Sequence, residues 1–176
     1  MTSATSVRRG AAAIERALDA ARAHLRRCAL CPRACGADRT RGERGFCGAG
    51  LAARVASFAV HRGEEPPISG EHGSGNVFLS GCNLACRFCQ NYPISRLRAG
   101  RDLAPEAFAA GLLSLARRGV HNLNFVTPTP WTPQILEALL LARRAGRRRT
   151  SCRGARCRRR PRAGAARGAP RSRRSS

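Results

Sequence analysis

The sequence predicts an α/β fold with a parallel sheet, on two observations. Strand and helix patterns alternate from Asn76 to Gly146, and the segment ahead of them carries cysteine, glycine and proline where a core would need aliphatic side chains. Alternation of this kind implies right-handed crossovers. It also implies that functional groups gather in the loops at the carboxyl ends of the strands.

Residues 1–27 are assigned to an amino-terminal helix. Ile14, Leu18, Ala21 and Leu25 recur at i, i+4, i+7 and i+11 over residues 11–27, while Glu15, Arg16, Asp19 and Arg22 interrupt any secretory core. An amphipathic cytoplasmic helix fits better than an Arg-rich transit peptide, because of the two acids. Residues 28–50 form a cysteine module, Cys28-x2-Cys31-x3-Cys35-x11-Cys47, with Pro32, Gly36, Gly42, Gly45 and Gly48 between. Four thiolates on one metal would supply the stability that the missing core cannot. The spacing leaves structural zinc, an auxiliary iron–sulfur cluster and free or redox-active thiols all open.

Residues 51–146 are assigned to the βα domain. Residues 51–60 are read as a strand on Val55, Phe58 and Val60, although these do not alternate cleanly. His61, Glu64 and Glu65 follow in a Pro/Gly-rich loop, either as metal ligands or an acid/base pair, or as caps and surface ion pairs. His72 and His121 are read as structural. Asn76 to Ser80 is the next strand, and Gly81 lets the chain turn. A helix then begins at Asp102 as N-cap or at Ala104-Pro105-Glu106, carries Phe108, Leu112 and Leu115 on one face, and ends at Gly119. Asn122 to Val126 is a strand; Thr132 caps and Pro133 opens the last helix, with Ile135, Leu136, Leu139 and Leu140 inward before Gly146. The loops Cys82 to Cys89 and Thr127 to Trp131 should face each other. The helix faces around Leu112 and Leu139, and the sheet edge beside Phe125, are expected to be open.

Cys82, Cys86 and Cys89 have C-x3-C-x2-C spacing. Iron–sulfur cubes are usually held by four thiolates, so a compact triplet leaves one iron free to bind something else. The bland alternative is a zinc or iron knot completed by a distant Cys or His. The spacing differs from the paired C-x2-C of zinc ribbons.

The triplet, with Phe88 at the aromatic position, resembles the signature of the radical S-adenosylmethionine (radical SAM) superfamily. The likeness extends over His61-Arg62-Gly63-Glu64-Glu65-Pro66-Pro67-Ile68-Ser69-Gly70, Gly73-Ser74-Gly75 and Cys89-Gln90-Asn91-Tyr92-Pro93-Ile94-Ser95 to the branch labelled pyruvate formate-lyase activating enzyme-like, a glycyl-radical activase-like group. The resemblance implies the first part of a partial (βα)6 barrel and an oxidoreductase or activase. Cys82, Cys86 and Cys89 would hold a [4Fe-4S] cluster whose fourth iron binds the amino and carboxylate groups of S-adenosylmethionine. Reductive cleavage would give methionine and a 5′-deoxyadenosyl radical for hydrogen abstraction. Phe88 would lie against adenine. Where relatives place Gly-Gly-Glu, this chain reads Val126-Thr127-Pro128-Thr129-Pro130, so Asn124, Thr127 and Thr129 are the expected cofactor contacts. No catalytic side chain is identified. Implied partners are an electron donor such as flavodoxin or ferredoxin and a glycyl-radical enzyme or another substrate.

All 33 cationic residues are Arg, and thirteen lie in residues 147–176 with no acid among them, so the net charge of +23 falls to +10 for residues 1–146. That tail has no aliphatic side chain larger than Ala and is expected to be disordered. Two readings compete for it, a nucleic-acid arm and an out-of-frame stretch following a chain truncated or frameshifted after about residue 146. No aromatic residue is interleaved with its arginines, which argues against nucleic acid as a partner. The chain is thus expected to be the amino-terminal part of a longer enzyme, with little activity of its own. No apolar run reaches the roughly 18 residues of a membrane span, and nine Cys without an export signal fit metal binding in the cytoplasm. The competing function is a basic zinc or iron–sulfur module that contacts nucleic acid without catalysis.

Overall fold

The computed structural model describes residues 4–63 and 65–151, with side chains over 10–63 and 65–146. The expected disorder of the Arg-rich tail falls on residues outside that range, apart from the helix end noted below. Helix α1 (Ala4–Ala23) is followed by a loop with one 3-10 turn (Arg39–Arg41), then β1 (Ala53–His61), the short α2 (Pro66–Ser69) and β2 (Ser74–Leu79). The short α3 (Tyr92–Ser95), β3 (Arg101–Leu103), α4 (Pro105–Arg117), β4 (Asn122–Val126), a 3-10 turn (Thr129–Trp131) and α5 (Thr132–Ser151) complete the order.

The four strands form one sheet in the order β3-β1-β2-β4. Among the described strands only β2 and β4 are parallel, with Phe78 opposite Val126; β1 runs antiparallel to both β2 and β3. The sheet is therefore mixed rather than parallel throughout. A parallel return usually runs through a full helix, and between β1 and β2 the chain has only a loop and the short α2. Strand β3 is a second departure from expectation. Asp102 does not cap a helix but lies in β3 opposite Arg54, to which it is bridged at 3.1 Å. Ala104 is the N-cap of α4, without a side-chain bond, and Pro105 fills the first turn where its missing N–H costs nothing.

One face of the sheet, through Val55, Val77 and Leu79, packs under α4 and α5, which contribute Phe108, Leu112, Leu115, Ile135 and Ala138. Each of these side chains other than Ala138 contributes about 1.5–3 kcal/mol on burial. Leu112 is 1% exposed, so the apolar face expected to be open there is covered. Leu139 is partly buried against the same core. Helix α1 supplies part of that cover by lying on α5, where Arg22 meets Glu137 at 2.7 Å and Arg144 meets Glu15 at 3.2 Å. The expected stripe on α1 is present, with Leu18 and Ala21 buried, but the helix begins at Ala4 and ends before the buried Leu25. β4 is last in the strand order, which puts Phe125 on an edge strand as expected. Helix α5 passes Gly146 and continues to Ser151; arginines favour helix, and one interior glycine costs only about 1 kcal/mol. Among the described residues no helix is long and apolar enough to cross a membrane.

Candidate metal centre

Two anchors aim the loop that leaves β2. Ser80 is buried: its N–H donates to the Arg54 carbonyl at 2.9 Å, its hydroxyl to the Ala99 carbonyl at 2.5 Å, and its own carbonyl accepts from Trp131 Nε1 at 3.1 Å. Gly81 follows at φ 84°, and a Cβ there would lie 2.2 Å from the Cys47 carbonyl oxygen. Only glycine meets both the dihedral and the contact. The Gly81 N–H donates to the Ile94 carbonyl at 2.8 Å, which closes the base of the loop.

Between these anchors the chain is open. Cys82 and Cys89 are half-buried and Cys86 is exposed; Ala85 adopts φ 64°. The Leu84 N–H points to Cys82 Sγ at 3.4 Å, and Cys89 Sγ lies 3.1 Å from Ser95 Oγ. Phe88 is 98% exposed. Among the described residues no three Cys, His, Asp or Glu side chains stand close enough together to hold an ion as they are. The donor chemistry of the triplet nonetheless fits an iron–sulfur cluster: three free soft thiols share one loop, fixed at its base and open to solvent.

The other cysteine module is built differently. Cys28 and Cys47 are buried, Cys31 is half-buried and Cys35 exposed, all as free thiols. Arg39, a residue that sequence reasoning missed, is 2% exposed, and its guanidinium donates to the Pro130 carbonyl at 2.6 Å and to Cys28 Sγ at 3.0 Å, with Cys47 Sγ at 4.0 Å. Nothing in the sequence separates it from the other arginines. The Ala37 N–H holds the Cys35 thiol below its ordinary pKa against the effect of burial, helped by the Cys28 thiol, the Phe46 N–H and the Arg39 charge. Cys28, Cys35 and Cys47 are thus neighbours. The soft donor set suits zinc or a cluster, and Arg39 would offset thiolate charge in either.

Across from the triplet, Asn124 pairs with Asn76 in the parallel register, and both are at least half-buried. Thr127 adopts φ 62°, an outlier for a β-branched residue of a kind that costs about 1–3 kcal/mol and clusters at functional sites. Thr129 is half-buried, and its carbonyl accepts from Thr132 Oγ1 at 3.0 Å. Trp131, fully buried, ties this loop to Ser80 at the foot of the cysteine loop, so both leave the same end of the sheet. The remaining candidates fall elsewhere: His61, Glu65, His72 and His121 are exposed, and Glu64 lies outside the described residues.

These features coincide with a family match. A radical SAM superfamily domain is present: the family described as "Radical SAM superfamily" matches residues 76–157, a stretch that opens on β2 and contains the triplet. Two relatives come from Methanocaldococcus jannaschii. The chain is 31% identical over 123 residues to "Uncharacterized protein MJ0674", covering 65% of this chain and 35% of that one. It is 28% identical over 140 residues to "Uncharacterized protein MJ0808", covering 68% and 40% respectively. The chain therefore spans well under half the length of these curated relatives. No solved structure matches it significantly.

Proposed function

We propose that the chain carries the cluster-binding portion of a radical SAM enzyme. The observation that carries this reading is the position of the triplet, on an anchored, solvent-open loop at the carboxyl end of β2 and inside the matched region. Cys82, Cys86 and Cys89 would each hold one iron of a [4Fe-4S] cluster, leaving the fourth for the amino and carboxylate groups of S-adenosylmethionine. When bound and reduced, that pair of cofactors supplies a 5′-deoxyadenosyl radical for hydrogen abstraction.

The chain's own residues bind and orient. Asn124, Thr127 and Thr129 offer an amide, hydroxyls and carbonyls to the methionine moiety, and Phe88 offers a ring to adenine. Cys28, Cys31, Cys35 and Cys47 form a structural site for zinc or an auxiliary cluster that stabilises the lead-in. The motif likeness from His61 to Ser95 supports a glycyl-radical activase-like reaction, with a flavodoxin or ferredoxin as electron donor in the cytoplasm. The test is anaerobic incubation of reconstituted chain with dithionite and S-adenosylmethionine, followed by chromatography for 5′-deoxyadenosine and methionine. Both should form, at the low rate expected of a chain that carries only part of the barrel, and neither with Cys86→Ala. A preparation that holds its cluster yet yields neither product would contradict the proposed reaction.

A further inference from the structure

Arg33 reaches out of the cysteine module onto the loop between Cys82 and Cys86. Its Nε donates to the Asn83 carbonyl and its second terminal nitrogen to the Leu84 carbonyl at 3.4 Å. The guanidinium lies on the ring of Phe46, 3.6 Å from the centroid, which holds its plane in place. The Asn83 carbonyl and the Leu84 N–H are the two ends of one peptide group. No described peptide bond is cis, so these two ends point in opposite directions. The end away from Arg33 is the N–H that meets Cys82 Sγ at 3.4 Å.

We propose that Arg33 is a positioning residue that aims the 83–84 peptide dipole at the Cys82 sulfur. The guanidinium draws the carbonyl end towards the module, and the positive N–H end is thereby presented to the thiolate that would ligate iron. Hydrogen bonds to cluster sulfurs favour the reduced, more negative form and so raise the reduction potential. Arg33 would thus make the cluster easier to reduce without touching it. This inference rests on the reading of Cys82 as a cluster ligand. Lysine cannot replace Arg33 fully, because an ammonium is a compact point charge without the planar fork that meets two carbonyls while stacked on a ring.

The experiment is an anaerobic redox titration, with iron analysis, of the reconstituted 176-residue chain and its Arg33→Gln, Arg33→Lys and Phe46→Leu variants. Arg33→Gln at wild-type iron content should have a more negative potential, Arg33→Lys should fall between the two, and Phe46→Leu should shift in the same direction by less. A wild-type potential in an iron-replete Arg33→Gln sample would overturn the proposal, as would full restoration by Lys, since charge alone would then suffice. If Arg33→Gln loses iron, Phe46→Leu decides: a lowered potential supports the role and an unchanged one overturns it. Failure of the wild-type chain itself to hold a four-iron cluster is a different result, which overturns the site reading and this inference with it.

Discussion

The chain has two cysteine-rich regions side by side, and they are built in opposite ways. The module over Cys28 to Cys47 is filled: two of its thiols are buried and a guanidinium sits against them, bonded onward to the Pro130 carbonyl. The loop over Cys82 to Cys89 is fixed at its base and held by Arg33 at the Asn83 and Leu84 carbonyls, and beyond those contacts it exposes Cys86 and Phe88. Buried thiols with a guanidinium against them suit a structural knot, whereas catalytic metal sites keep a position open. The contrast teaches that cysteine count and spacing nominate sites, while burial and neighbouring donors distinguish one from the other.

The sharpest way to break the comparison is to delete one thiol from the open loop. Cys86→Ala should remove the cluster signal entirely, yet leave the stability of the iron-free chain within about 0.5 kcal/mol, because an exposed side chain away from packing contributes little. Iron analysis and denaturant titration of the same sample check both halves. Arg39→Ala should do the reverse. It leaves the Pro130 carbonyl and the Cys28 thiol without their buried donor, and should cost about 2–4 kcal/mol by denaturant titration.

Gly81→Ala probes the seam between the two regions. The residue is in the left-handed region, and a Cβ would press on the Cys47 carbonyl, so a loss of about 1–3 kcal/mol is expected together with weaker iron retention by the loop. The smallest effect is at Asp38, whose carboxyl is held below the ordinary carboxylate range by the Thr40 hydroxyl, against the opposing effect of burial and helped by the N–H groups of Thr40 and Arg41 and the Arg41 charge. A depressed carboxylate stabilises the fold fully above its unfolded pKa, and that contribution is lost as pH falls through the folded value. Asp38→Asn should flatten this acid-side part of the stability profile, read as denaturation midpoints against pH, and change little above it.

Much of the βα frame was legible because local signals agreed with the fold. Pro105 and Pro133 marked helix starts, Asn122 to Val126 formed the expected strand, and Gly81 made the expected turn. The antiparallel setting of β1 was not legible, since strand direction depends on how the connection folds rather than on the strand's own residues. Asp102 misled because an Asp before Ala-Pro-Glu reads as a cap until its partner Arg54, far away in sequence, is placed opposite it. At the site, the triplet and the loop after β4 could be picked out by motif and position. Arg33 and Arg39 could not: their roles come from contacts across the fold, in a chain whose every cationic residue is arginine. Thr127 was nominated by position alone, and its left-handed backbone came as an independent physical sign.

The central claim is that Cys82, Cys86 and Cys89 hold a cluster with one iron open to S-adenosylmethionine. Electron paramagnetic resonance of the reconstituted, dithionite-reduced chain, recorded with and without S-adenosylmethionine, tests it most directly. The account predicts a reduced four-iron signal that shifts when S-adenosylmethionine is added and is absent from Cys86→Ala. An S-adenosylmethionine-responsive cluster that survives unchanged in Cys86→Ala, or a wild-type cluster whose signal ignores S-adenosylmethionine, would contradict it.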